Sequence, residues 1–106
     1  TDFWKQYVDH VVFVKVQNRW DTYNNSPDGV KSPCMYLWER MYVWFDGVTN
    51  PCDVDYKSEL TMGKLDYEKN NIKKIWTSEF FQSLRKKHLN NERQTLKPCD
   101  RCGLTF

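Results

Sequence analysis

The chain has no long hydrophobic run. Its apolar stretches last a few residues, well short of the twenty or so a membrane-spanning helix needs. Charge of one sign is also missing. The 16 Lys+Arg and 14 Asp+Glu leave a net charge of +2, too weak a bias to argue for nucleic acid or an acidic substrate. There is no alanine, no glycine-rich phosphate loop, no Gly-x-Ser-x-Gly, no helix with paired metal-binding histidines, no internal repeat and no low-complexity segment. Nothing in the sequence forms a self-sufficient catalytic centre.

Aromatic residues, in contrast, are plentiful. Five Trp, six Tyr and six Phe stand among 106 residues. A disordered chain lacks such rings, so the sequence predicts one folded domain with an aromatic core. A core in a chain of this length is small, and a covalent or metal staple helps it. The first residues, Thr1-Asp2-Phe3-Trp4-Lys5, contain neither a start methionine nor a secretion signal, so the chain reads as a piece of something longer.

Four cysteines carry most of the chemical information. Cys99 and Cys102 form a Cys-x-x-Cys pair, a spacing that points two sulfurs at one tetrahedral centre. It suits zinc, one face of an iron–sulfur cube, or a redox disulfide. A redox disulfide wants a helix to follow the pair, and here the chain ends at Phe106. Cys34 and Cys52 stand 17 residues apart, and 46 more separate Cys52 from Cys99. Zinc ribbons supply two close pairs, which this layout does not. Three readings stay open at this point: an iron–sulfur site, a structural four-cysteine zinc module, and a disulfide-bonded binding domain without metal.

A pass along the chain places these residues. Phe3 to Tyr7 reads as the end of a helix. Val8 to Val16, with Val11, Val12, Phe13, Val14 and Val16, reads as a buried strand. Arg19 to Pro33 is turn-rich and reads as a linker. Tyr36 to Phe45 reads as a strand with mixed alternation. Asp46-Gly47 then predicts a type I′ turn and a hairpin strand running to Cys52, which returns Cys52 toward Cys34. A loop passes through Met62-Gly63. Ile72, Ile75, Trp76, Phe80, Leu84 and Leu89 then recur at helical spacing. The expectation is a short helix near Asn71 to Trp76 and a longer one from Ser78 to about Leu89, capped at Thr77-Ser78.

Several constellations have plainer readings than chemistry. His10 and His88 read as ordinary structural or surface histidines. Asp53 and Asp55 form a weak carboxylate pair without a partner base. The run Arg85-Lys86-Lys87-His88 reads as a solvated helix end matched to the dipole. The Trp/Tyr-rich segment reads as core rather than as a stacking platform.

The ordered pattern is more specific than its parts. Cys34 is followed by twelve residues, Gly47, four residues, Cys52, a helical gap, and Cys99-x-x-Cys102. Around it stand Pro51, Gly63, Ile75-Trp76-Thr77-Ser78, Phe80-Phe81, Leu84 to Leu89, and Pro98. From about Pro33 to Gly103 this resembles the SPASM/twitch domain, the C-terminal auxiliary iron–sulfur extension of radical S-adenosylmethionine enzymes. Arg19-Trp20 is similar to the segment where the last barrel strand of those enzymes leads into the extension.

The resemblance implies an α+β fold, a small β-hairpin plus helices, preceded by a last strand of a partial (β/α) barrel. Residues 1–20 would be the tail of that barrel, 21–32 a linker, and 33–106 the iron–sulfur domain. It implies one auxiliary [4Fe–4S] cluster on Cys34, Cys52, Cys99 and Cys102, as in the twitch variety. The cluster would serve as an electron relay or a staple, with Arg101 as a nearby positive charge. S-adenosylmethionine and a second [4Fe–4S] cluster belong to the barrel, whose Cys-x3-Cys-x2-Cys motif does not occur here, so this chain is not catalytic alone. The implied partner is the barrel of the same parent chain, acting on a peptide, protein, sugar or small molecule. The implied compartment is the cytoplasm, with neither nucleic acid nor membrane as partner. Zinc is the alternative metal.

Overall fold

A computed structural model describes residues 2–66 and 68–106. The elements, in chain order, are a helical turn α1 (Asp2–Lys5), a 3-10 segment Asn18–Asn24, helix α2 (Tyr36–Glu39), strands β1 (Tyr42–Val43), β2 (Val48–Asn50) and β3 (Gly63–Lys64), helices α3 (Ile72–Trp76) and α4 (Glu79–Leu89), and two 3-10 turns, Arg93–Thr95 and Cys99–Arg101. The fold is therefore mixed α+β, with a three-stranded antiparallel sheet in the order β1-β2-β3.

Helix α4 is the best-specified element. Ser78 accepts a hydrogen bond from the Phe81 N–H, Glu79 occupies the first turn, and Lys86, Lys87 and His88 fill the last. Phe81, Leu84 and His88 share its buried face at i, i+3 and i+7. Asn91 ends it in the left-handed region, φ 60°. Helix α3 is capped by Asn71, whose side chain accepts from the Lys74 N–H. Phe81, Leu84 and Ile75 join Leu37, Leu60, Met62 and Leu96 in one apolar cluster, with Trp38, Met41, Leu65, Trp76 and Cys99 packed against it. Each fully buried side chain of this kind contributes about 1.5–3 kcal/mol.

Four expectations need correction. The segment from Tyr36 is not one long strand. Tyr36–Glu39 is a helical turn, and only Tyr42–Val43 pairs with β2. The reason is packing: Leu37 and Trp38, neighbours in sequence, both reach the apolar cluster, whereas strand alternation would send them to opposite faces. The hairpin turn is not type I′ either. Gly47 alone has positive φ (89°). Its N–H donates to Trp44 O at 2.9 Å, and the Trp44 N–H donates to Val48 O at 2.8 Å. That is a three-residue loop with glycine in the left-handed position. The stretch Val11–Val16 enters no sheet; Val12, Phe13 and Val16 are 78%, 78% and 86% exposed. Finally, residues 63–64, expected as loop, form β3 on Thr49 and Val48. The Thr49 hydroxyl ties that edge by donating to Gly63 O at 2.7 Å.

Residues 18–32 are partly packed. Thr22 and Tyr23 are buried, the Asp28 N–H donates to Asp100 O at 2.9 Å, and Gln94 donates through its side-chain amide to Val30 O at 2.6 Å. Among the described residues, no helix is long and apolar enough to cross a membrane.

Candidate metal centre

The four cysteines come from three separate parts of the chain and line one cavity. Cys34 precedes α2, and its carbonyl accepts the Leu37 N–H. Cys52 follows β2, and Cys99 and Cys102 flank the last 3-10 turn. Cys34, Cys52 and Cys99 each follow a proline, and Pro51 and Pro98 are fully buried. Proline fixes φ and removes a backbone donor, which stiffens a loop carrying a thiol. All four are thiols, with no disulfide between them.

The cavity wall is apolar between the sulfurs, built of Leu37, Pro51, Val54, Pro98 and Leu104, and it also carries Arg19, Arg93 and His88. Burial pushes the Cys52 thiol up to about 12 and raises Cys34 and Cys99 as well. Two effects oppose this. Backbone N–H groups donate to sulfur, from Tyr36 to Cys34 and from Val54 and Asp55 to Cys52. The Arg93 guanidinium favours the thiolates of Cys34 and Cys99.

Arg93 is 1% exposed. It donates to three carbonyls, Cys99 O at 3.1 Å, Ser32 O at 3.2 Å and Leu104 O at 2.6 Å. The ion pairs of the described residues leave it without a carboxylate. Arg19 reaches the Cys102 sulfur and pairs with Asp53 at 3.4 Å. A buried cation without a counter-ion costs several kcal/mol. Here the groups that can supply negative charge are the sulfurs.

His88 shows the same incompleteness. Its Nδ1 accepts the Cys34 N–H at 3.1 Å, while its buried Nε2 has no partner. Burial first, and Arg93 second, lower its pKa to about 4. A four-thiol donor set facing two guanidiniums and an orphaned ring nitrogen fits an anionic, thiolate-ligated metal group.

The other sequence candidates fall elsewhere. Asp53 and Asp55 do not act as a pair. Asp53 faces Arg19, while Asp55 is buried and accepts from the Tyr23 hydroxyl and from the N–H groups of Glu59 and Leu60 at 3.0 and 2.9 Å. It is a structural knot that holds the 55–60 loop under Tyr23. Arg101 spends its charge on Asp100 at 3.0 Å and on Asn25 O, so the cations beside the thiols are Arg93 and Arg19 instead. Arg85 is not a solvated helix end. It donates to Leu37 O at 2.8 Å and Trp76 O at 2.9 Å, and it stacks on Phe81 and Trp76. His10 is exposed.

Two residues beside the thiols were not read from the sequence as part of the site. His88 carried a signal, since it falls at i+7 from Phe81 and i+4 from Leu84 on the apolar face. Arg93 carried none, because a lone arginine in a polar loop has no pattern.

A partly enclosed cavity ringed by thiols and lined by cations has the character of a metal–thiolate site. The comparison with known families makes the class narrower. The SPASM model, described as an iron-sulfur cluster-binding domain, matches residues 27–103. That is most of the chain: the protein belongs to the SPASM family and is an iron–sulfur cluster-binding domain. No curated protein and no solved structure matches it.

Proposed function

We propose that Cys34, Cys52, Cys99 and Cys102 together hold one [4Fe–4S] cluster, an auxiliary cluster of a radical S-adenosylmethionine enzyme. The observation that carries this reading is the meeting of all four thiols in one cavity, although they span nearly seventy residues of chain. The family supplies iron and sulfide as the cargo.

Geometry favours a cube over a single zinc ion. Among the described residues, no three of His, Cys, Asp and Glu stand close enough together to hold one metal ion. A cube of four irons spreads its four external ligands further apart than a single tetrahedral ion does.

When bound, the cluster supplies a one-electron store at a fixed place in the fold. The chain's own residues do the rest. Four thiolates leave no external site for substrate. Leu37, Pro51, Val54, Pro98 and Leu104 limit water around the sulfurs. Arg93 and Arg19 balance anionic charge, and the Tyr36, Val54 and Asp55 N–H groups hold the sulfurs in position.

The parent enzyme's barrel is the proposed partner. Residues 2–16 support this, since Phe3, Trp4, Tyr7, Val12, Phe13, Val14 and Val16 are all exposed and form an apolar stretch suited to joining a larger body. Residues 1–20 are then the barrel's tail, and the substrate is the barrel's to choose.

Cys52→Ser tests the ligand set. After anaerobic reconstitution, the variant should lose much of the iron-dependent visible absorption of the parent chain. An unchanged iron-to-protein ratio would remove Cys52 from the site.

A further inference from the structure

His88, on the wall of the cavity that the thiols line, has two ring nitrogens that differ in how they are satisfied. Nδ1 accepts the Cys34 N–H at 3.1 Å. A neutral imidazole that accepts at Nδ1 carries its proton at Nε2, a tautomer assigned here from that hydrogen bond. Nε2 is buried and has no partner among the described residues. A buried donor left unmade costs the full desolvation of that group.

Few groups on the wall can accept its proton. His88 lines the cavity that the four cysteines share. Arg19 and Arg93 only donate. Tyr36 turns its ring toward Phe106, at 5.0 Å, and lies under Arg40. The remaining side chains there are hydrocarbon, so among side chains the sulfurs are the acceptors left. The placement of His88 on α4 is firm, because Phe81 and Leu84 anchor the same face in the apolar cluster.

We propose that His88 is a positioning residue for the cluster: Nε2–H donates a hydrogen bond to a sulfur of the thiolate-ligated group, while Nδ1 holds the loop that carries Cys34. The proposal rests on the cluster reading above. A hydrogen bond to sulfur stabilises the extra negative charge of the reduced state, so it raises the reduction potential. His88 thereby couples the rigid apolar half of the fold to the electronic state of the metal site.

The test uses the full chain, reconstituted anaerobically with iron and sulfide. His88→Phe keeps a ring of similar size and removes both hydrogen bonds. His88→Gln can accept the Cys34 N–H through its carbonyl and still donate through its amide. The expected result is a lower midpoint potential in His88→Phe at unchanged iron content. The reduction equilibrium should move about tenfold toward the oxidised form, about 59 mV for one electron. His88→Gln should recover most of that shift. A His88→Phe potential equal to the parent's, at equal iron content, overturns the proposal and leaves the cluster reading intact.

A second measurement needs no variant. The parent chain is labelled with 15N-histidine, reduced, and measured by pulsed EPR. A 15N coupling to the paramagnetic cluster is expected, because exposed His10 is not on the cavity wall. No coupling in a reduced, EPR-active cluster overturns the proposal. A chain that takes up no iron overturns both readings.

Discussion

The Phe81 side of the fold and the Cys99 side fill their interiors in opposite ways. Around Phe81 the buried groups are hydrocarbon: Leu37, Leu60, Met62, Ile75, Leu84 and Leu96, sealed by Trp38 and Trp76. Among the described residues, none of that cluster leaves a buried side-chain nitrogen or oxygen without a partner; the unpaired buried atoms away from the thiols are Trp44 Nε1, Asn50 Oδ1 and one nitrogen of Arg85. Around Cys99 stand four half-buried thiols, a buried guanidinium with no carboxylate, and a buried ring nitrogen with no acceptor. The first interior is complete as protein. The second has donors and positive charge in excess and becomes balanced only when the sulfurs are anionic. Stability therefore lives mainly on one side and the proposed metal site on the other, and Cys99 touches both.

The strongest way to break this comparison is Phe81→Ala. Phe81 is fully buried, so the cavity and lost transfer energy should cost about 3–5 kcal/mol. That is a large share of the stability of a domain this size, and both halves should melt together in a denaturant titration followed by circular dichroism. Survival of the metal site in a chain that has lost its helical signal would contradict the dependence of one half on the other.

Arg93→Met should separate the halves. It removes a buried charge that, without metal, has only carbonyls for company. Outer-shell changes at metal sites cost about 10–100-fold in metal affinity. Iron retention against a competing chelator should fall by that order, while the metal-free chain should unfold at the same denaturant concentration or a higher one. Equal retention in both chains would detach Arg93 from the site.

Alkaline pH should sharpen the contrast further. In the metal-free chain, burial raises the thiols of Cys34, Cys52 and Cys99 above the unfolded value near 9, Cys52 to about 12. The folded state then binds more protons than the unfolded state across that window. Stability is fully present below pH 9 and declines as pH rises toward 12, by at most about 1.4 kcal/mol per pH unit for each thiol. In the loaded chain the thiolates are already deprotonated, so its melting temperature should stay flatter over the same range. Parallel curves for the two forms would remove the thiols from the linkage.

How far the sequence revealed the two halves follows from this physics. Helix α4 was readable because its cap, dipole charges and apolar period agree over eleven residues. The turn at Gly47 was readable in position though not in type, since Asp-Gly marks the bend and the loop length decides its class. The Tyr36–Phe45 stretch misled because Tyr, Trp and Val favour strands, while the adjacent Leu37 and Trp38 both turn to the core, which strand alternation forbids. Strand β3 was invisible: Gly63 and Lys64 are poor strand formers, and pairing with β2 alone defines them. At the site, the cysteine spacing carried the family. His88 was hidden inside a basic run, and Arg93 in a loop whose burial only the fold creates.

The central claim is that four thiols converge on an iron–sulfur cube rather than on a lone metal ion. Acid-labile sulfide, measured beside iron and zinc on the anaerobically loaded chain, tests it most directly, because only a cluster carries inorganic sulfide. A cube gives iron and sulfide in equal amounts, about four of each per chain. Stoichiometric metal without labile sulfide would contradict it.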